Sequence, residues 1–207
     1  MTTTTNSSSP SSYTAIFGQV AFYLVAGRLL FAWLLKPLYQ WWWAQPPASA
    51  IWRPSPTNWA VVTGGTDGIG LEYARQLGAL GYPLIIISRS PEKLATVRAA
   101  IERTVPACPA VRTIAFDFSL NSTEHYCDLE KQLSVIAGPD TGHRIDVLVN
   151  NVGISFSTPE YFTVIAAKLP GLMGSMINVN VVAAVKMTAF VWSRMLEENR
   201  GVVLNIG

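Results

Sequence analysis

Residues 63–70 read Thr-Gly-Gly-Thr-Asp-Gly-Ile-Gly and place Gly64, Gly68 and Gly70 between an apolar run ending at Thr63 and a helix-like stretch from Leu71. A glycine loop in that position suits one kind of chemistry. Free N–H groups at the helix N-terminus face an anion and the glycines let it come close, which is how a dinucleotide pyrophosphate is held. The spacing is Gly-x-x-x-Gly-x-Gly, so the order strand, loop, helix carries more weight than the letters, and an ordinary strand-to-helix turn is the competing reading. Asp67 lies inside the loop, where a carboxylate beside two phosphates is unfavourable; it is expected to turn away and cap helix N–H groups. The two cysteines, Cys108 and Cys127, share no metal-ligand spacing with His125 or His143, which argues against a zinc site and a disulfide framework. Charged residues are 14% of the chain and the formal net charge is +2, too little for a basic field that would hold nucleic acid.

The elements that must position this loop alternate along the chain. Residues 58–64 open as an apolar strand. Residues 82–88 (YPLIIIS) form a continuous apolar run with β-branched isoleucines, and residues 91–105 have helical periodicity with Pro91 at the start. Residues 111–118 are strand-like, 122–137 helical, 145–149 strand-like and 172–198 one long helix, followed by the strand-like GVVLNIG of residues 201–207. Five strands with helices between them predict an α/β fold, a doubly wound parallel sheet of Rossmann-like type with its ligand beyond the C-terminal strand ends. A strand order of 3-2-1-4-5 would place Val202, Val203 and Leu204 on an open sheet edge, an aggregation hazard.

The region before this domain differs. Residues 1–14 are Ser/Thr-rich without a charged side chain, the composition of a disordered tail. Residues 15–35 contain only Gln19 and Arg28 as strongly polar members, and as a helix would be about 31 Å long, near the thickness of a bilayer core. A central Arg costs roughly 2.5 to 3.5 kcal/mol on insertion scales; the eleven Leu, Ile, Phe and Val residues of this stretch return roughly 3 to 7 kcal/mol. Residues 15–43 therefore read as a membrane anchor, spanning or hairpin, with Tyr39 and Trp41 to Trp43 as an interfacial aromatic cluster. Lys36 and Arg53 place the positive charge, and so the following domain, on the cytosolic side. Residues 44–57 are a Pro-rich linker.

TGGTDGIG after the first strand, ISRS after the second, FDFS after the third, LVNNVG after the fourth and INVN in the long helix together make residues 58–207 resemble the short-chain dehydrogenase/reductase family. WAVVTGGTDGIG, IISRSPEKL, LVNNVGIS with PEYF, and MINVN with KMT are most similar to its membrane-bound 3-oxoacyl-CoA reductases of very-long-chain fatty acid elongation, a group with steroid 17β-dehydrogenase-like members. The resemblance implies that Gly64, Gly68 and Gly70 line a pyrophosphate, with Thr66 and Ile69 offering backbone contacts and Asp67 among them. It implies Ser88 where many members carry an acid for the ribose 2′-hydroxyl, and Arg89 beside it, whose planar donors suit the 2′-phosphate of NADPH. It places Asp117 against the adenine amino group, and Asn150 and Asn151 with Gly153 against the central ribose. Asn180 would hold a water of the proton relay, Asn178 being its competitor. The implied substrate is a fatty acyl-CoA, a steroid or retinoid being the alternative. The setting is the endoplasmic reticulum bilayer, with elongation proteins or a second copy as partners.

In this family the strand ending Asn-Ile-Gly is followed by a catalytic Ser, and about a dozen residues later by Tyr-x-x-x-Lys, which protonates the carbonyl oxygen as hydride arrives from the nicotinamide. None of the seven tyrosines has a Lys four positions on. The expectation is a C-terminally incomplete domain that keeps the cofactor half of a reductase and is inactive alone, or else a noncatalytic nucleotide-binding short form.

Overall fold

The computed structural model describes residues 10–42, 54–156, 160–197 and 199–207. Residues 1–50 and 51–207 are two separate compact units.

In the first unit α1 (Pro10–Leu30) runs into a wide π-type turn, Phe31–Leu35, closed by the Lys36 N–H donating to the Phe31 carbonyl, and then into α2 (Lys36–Trp42). The helix starts earlier than the composition implies, so residues 10–14, read as part of an unfolded tail, are helical; Pro10 fits a first helical position because its missing N–H is not needed there. Residues 1–9, Trp43 and most of the Pro-rich linker lie outside the described residues. Phe17–Tyr39 is long and apolar enough to cross a membrane, with mean hydropathy 1.5 and none of it buried. A second helical stretch, Pro170–Glu197, passes the same test of length and composition but belongs to the other unit, whose core takes Val179, Ala183, Met187, Val191 and Met195 from it.

The second unit is built on β1 (Asn58–Thr63), β2 (Leu84–Ser88), β3 (Val111–Ala115), β4 (Arg144–Asn150) and β5 (Val202–Asn205), all parallel, in the order β3-β2-β1-β4-β5. This is the predicted doubly wound sheet. Its helices are α3 (Gly68–Ala79), α4 (Pro91–Thr104), α5 (Thr123–Ala137), α6 (Phe162–Lys168), α7 (Pro170–Ile177) and α8 (Ala183–Glu197). Alternate side chains of the buried strands feed two cores, as a sheet covered on both faces requires. Val61, Ile85, Ile87 and Leu148 pack with α5 and α8, whereas Val62, Leu84, Ile86 and Val149 pack with α3 and α4. The helix starts are specified locally: Asp67, Ser90 and Ser122 cap α3, α4 and α5 with their side-chain oxygens.

The expected single helix over 172–198 is interrupted. A second π-type turn, Asn178–Val182, joins α7 to α8, with the Ala183 N–H reaching back to the Asn178 carbonyl. At the opposite end of the sheet the buried Asp146 carboxylate takes Arg144 Nε at 3.0 Å and the Arg200 guanidinium, which fixes the entry to β5.

Candidate nucleotide-binding site

The C-terminal ends of β1, β2, β3 and β4 open onto a cleft of about 680 Å³. The glycine loop forms one wall. Gly64 and Gly68 have φ of +64° and +51°, which a side chain would strain. At Gly64 a Cβ would come 3.0 Å from Val152 Cα, whereas nothing stands within 4 Å of where one would be at Gly68, leaving that face of the loop open. Asp67 is extended and its carboxylate accepts from the Gly68 N–H at 2.8 Å, the capping geometry that turns its charge onto the helix. The amides of Ile69 and Gly70, next along α3, have no hydrogen-bond acceptor among the described residues. That of Ile69, which lines the cleft, is available to an anion.

The loop is held from β4. The Thr63 hydroxyl, fully buried, donates to the Val149 carbonyl at 3.2 Å and accepts the N–H groups of Asn151 and Val152 at 3.0 and 3.1 Å. Asn151 Nδ2 donates to the carbonyls of Thr63 and Gly64, both at 3.1 Å. Gly70 does not line the cleft; it lies against the Asn151 side chain, which a Cβ there would displace. Its glycine serves the packing of loop on loop.

At the β2 end, Ser88 Oγ and Thr66 Oγ1 are 3.0 Å apart, so the residue in the acid position is bonded to the glycine loop. Arg89 is exposed, lines the cleft and has no hydrogen-bond or ion-pair partner among the described residues. Lys93, one turn into α4, lines the same end, while its acidic neighbour Glu92 is bonded by the Ser90 hydroxyl at 2.8 Å. This hydrogen bond holds the Glu92 carboxyl below its ordinary pKa.

Past β3 the cleft is lined by Phe116, Asp117, Phe118 and Ser119. Asp117 accepts the Ser119 N–H at 2.9 Å. Partial burial acts to raise the Asp117 pKa, but the Ser119 N–H and hydroxyl, with Arg89 and His125 nearby, outweigh it and hold the carboxyl below the ordinary value. His125 supports this corner, its Nε2 bonding the Asp117 carbonyl at 3.0 Å and its ring stacking on Phe116 at 4.0 Å.

Besides Gly70, two predicted residues stand outside the cleft. Asn150 does not face the cleft: its Nδ2 bonds Asn205 Oδ1 at 2.9 Å and Thr188 Oγ1 at 3.1 Å, tying β4 to β5 and α8. Adjacent residues of a strand point to opposite faces, so only one of the pair can meet the cleft, and that one is Asn151. Asn180 lies in the π-type turn with its whole amide engaged, Oδ1 accepting the Ile154 N–H at 2.8 Å and Nδ2 donating to the Ile154 carbonyl at 2.9 Å. It clasps the loop that carries Gly153 and borders a separate groove of about 500 Å³ between α8 and β5. Asn178 makes the matching tie to the loop after β3, donating to the Ser119 carbonyl at 2.8 Å.

Of the residues predicted from sequence, Gly64, Thr66, Asp67, Gly68, Ile69, Ser88, Arg89, Asp117 and Gly153 thus share one cleft. Thr63, Lys93 and Phe116 were not predicted. Thr63 closes the first strand and its Thr-Gly step was a usable signal; Lys93 gives none, since a Lys in a first helical turn is ordinary surface. The cleft fits a dinucleotide: an open glycine cradle with the free Ile69 amide, hydroxyls and cations at the β2 end, and an aromatic corner past β3. Among the described residues no cluster of His, Cys, Asp or Glu could hold a metal ion.

The short chain dehydrogenase family model matches residues 58–207. Very-long-chain 3-oxoacyl-CoA reductase-A of Danio rerio is 44% identical over 153 residues, covering 74% of this chain and 44% of that protein. The Mus musculus very-long-chain 3-oxoacyl-CoA reductase is 43% identical over 157 residues, 76% of this chain and 46% of that protein. The chain spans about half the length of the curated relatives it matches. Among solved structures, a metagenomic short-chain oxidoreductase in complex with NADP is similar with a TM-score of 0.60 and 30% identity, covering 73% of this chain and 62% of that one. A bulky-bulky ketone specific alcohol dehydrogenase from Comamonas testosteroni, also at 0.60 but 22% identical, covers 74% and 55% and shares the fold.

Proposed function

This chain belongs to the short-chain dehydrogenase family, an oxidoreductase family, and on that premise we propose that it is the cofactor-binding part of an NADPH-dependent 3-oxoacyl-CoA reductase of very-long-chain fatty acid elongation. The observation that carries the reading is the identity of 40 to 44% to seven proteins of that name, over 149 to 157 residues. The bound nicotinamide supplies hydride; the chain's own residues bind and orient it. The Ile69 amide takes the pyrophosphate, Asn151 and Thr63 keep the glycine loop at the distance the phosphates need, and the Phe116 to Ser119 corner receives the adenine. Ser88 in place of an acid, with Arg89 and Lys93 beside it, favours NADPH over NADH, because two cations can neutralise a 2′-phosphate that a carboxylate would repel. Asn180, its amide committed to Ile154, contributes to a proton relay through its main chain.

Carbonyl protonation in this family requires Tyr-x-x-x-Lys, a pattern the 207 residues do not contain, so these residues alone bind cofactor without turnover. The apolar Phe17–Tyr39 helix holds the domain at the endoplasmic reticulum membrane, on the cytosolic side, where long acyl chains are available. Titrating the purified chain with both cofactors tests the binding site. Arg89→Ala is expected to weaken NADPH by about 1.5 to 3 kcal/mol and leave NADH nearly unchanged; equal losses would remove the 2′-phosphate assignment. NADPH oxidation by membranes expressing the full gene product, with a 3-oxoacyl-CoA against a steroid ketone, tests the substrate.

A further inference from the structure

Arg28 has eleven residues of the apolar Phe17–Tyr39 helix on either side of it. At about 1.5 Å per residue it lies some 16 Å from both ends, farther than an extended Arg side chain reaches, so its guanidinium cannot escape a bilayer core by snorkelling alone. It is exposed and has no hydrogen-bond or ion-pair partner among the described residues. The anchor offers no counter-charge, because residues 1–66 contain no Asp or Glu. A second copy of the helix would bring another Arg to the same depth. The π-type turn Phe31–Leu35 begins three residues later, a feature often found at functional positions in helices.

Ionisable groups at the centre of a span are costly, and those retained usually meet an opposite charge there. We propose that Arg28 makes this helix a docking element for a different membrane protein, one that presents an Asp or Glu near the bilayer midplane. The guanidinium has five donors in a planar fork, so one carboxylate can take two parallel hydrogen bonds from it. Homotypic pairing is disfavoured by the same charge, which gives the helix a preference for partners unlike itself. The inference rests on the reading of this helix as membrane-spanning.

The test uses the full chain, carrying a donor fluorophore and reconstituted in phosphatidylcholine vesicles. Its binding partners are acceptor-labelled Leu/Ala transmembrane peptides of roughly 20 residues with one central Glu, or Leu in its place. Wild type is expected to bind the Glu peptide about tenfold better than the Leu peptide, Arg28→Leu to show no such preference, and Arg28→Lys to retain part of it. Equal binding of the Glu peptide by wild type and Arg28→Leu, or none by wild type, overturns the proposal. Carbonate extraction of the same vesicles separates the two possible failures. A chain released by carbonate does not span, and both readings fall; a chain retained but indifferent to the Glu peptide loses the docking role alone.

Discussion

The inner strands β1 and β2 and the edge strand beyond β4 are covered very differently. β1 is buried along its whole length and β2 at all but its last residue. β5 is only half-buried and ends exposed, and α8 beside it shows Val181 of the preceding turn, Val185, Trp192 and Leu196 at 53 to 63% exposure. The polar accounts differ in the same way. Thr63 Oγ1 and Asn151 Nδ2 find partners beside the cleft, whereas Asn150, between β5 and α8, keeps Oδ1 buried and unpartnered. A nucleotide cleft needs loops held to a fraction of an ångström, and that precision is supplied by residues within 58–154 together with Asn178 and Asn180, which clasp two of the loops from the turn before α8. The α8–β5 side carries apolar surface still in water, where each Å² covered by another surface would return about 25 cal/mol.

The largest test of this contrast is in the strands. Ile86→Ala, at a side chain with no exposure, is expected to cost about 2 to 5 kcal/mol of unfolding free energy, and Val203→Ala on β5 under about 1.5 kcal/mol. Similar costs in chemical denaturation would erase the difference between the sides. Next come the side-chain amides. Asn151→Ala removes two bonds to the glycine-loop carbonyls and should cost about 1 to 3 kcal/mol together with most of the NADPH affinity. Asn205→Ala removes one bond to Asn150 and should cost about 0.5 to 1.5 kcal/mol, with cofactor titration unchanged. If both variants lose NADPH binding equally, the cleft is not independent of β5.

The smallest effect concerns pH. The Asp117 carboxyl is held below its ordinary value of 3.8, so its ionised form stabilises the fold above that value and the contribution is lost as pH falls through the lowered one. Melting curves between roughly pH 5 and pH 3 should therefore fall slightly less steeply for Asp117→Asn than for wild type. Identical slopes would mean that the Ser119 hydrogen bond adds nothing measurable.

Sheet and glycine loop were legible because both follow from one-dimensional patterns: continuous apolar strands, periodic helices, and a glycine loop between strand and helix. What was not legible depended on a third dimension. Asn150 and Asn151 are the same residue type side by side, and which one meets the cleft is decided by the pleat phase of β4, fixed by its pairing with β1 and β5. Lys93 joins the cleft only because α4 starts at Pro91 and brings its first turn over the end of β2. Asn180 could be picked out from the sequence, but not its two bonds to Ile154, since these require the wide turn that residues 178–182 adopt in place of a regular helix.

That wide turn also sets the bookkeeping of phase along the helix. The buried positions Val179, Ala183, Met187, Val191 and Met195 recur every fourth residue, a spacing that drifts by about 40° per step on a regular helix of ~3.6 residues per turn. A turn holding more residues takes back part of that drift at its first step. It behaves as a one-residue insertion that the helix has absorbed, so the segments on either side stay nearly in phase and only the residues of the turn leave regular helical positions. Removing one residue would close the turn to a regular helix and leave Met187, Val191 and Met195 in the core. A single deletion in 178–182 is thus expected to leave a folded helix whose loss falls on the turn itself, on the bonds of Asn178 to Ser119 and of Asn180 to Ile154.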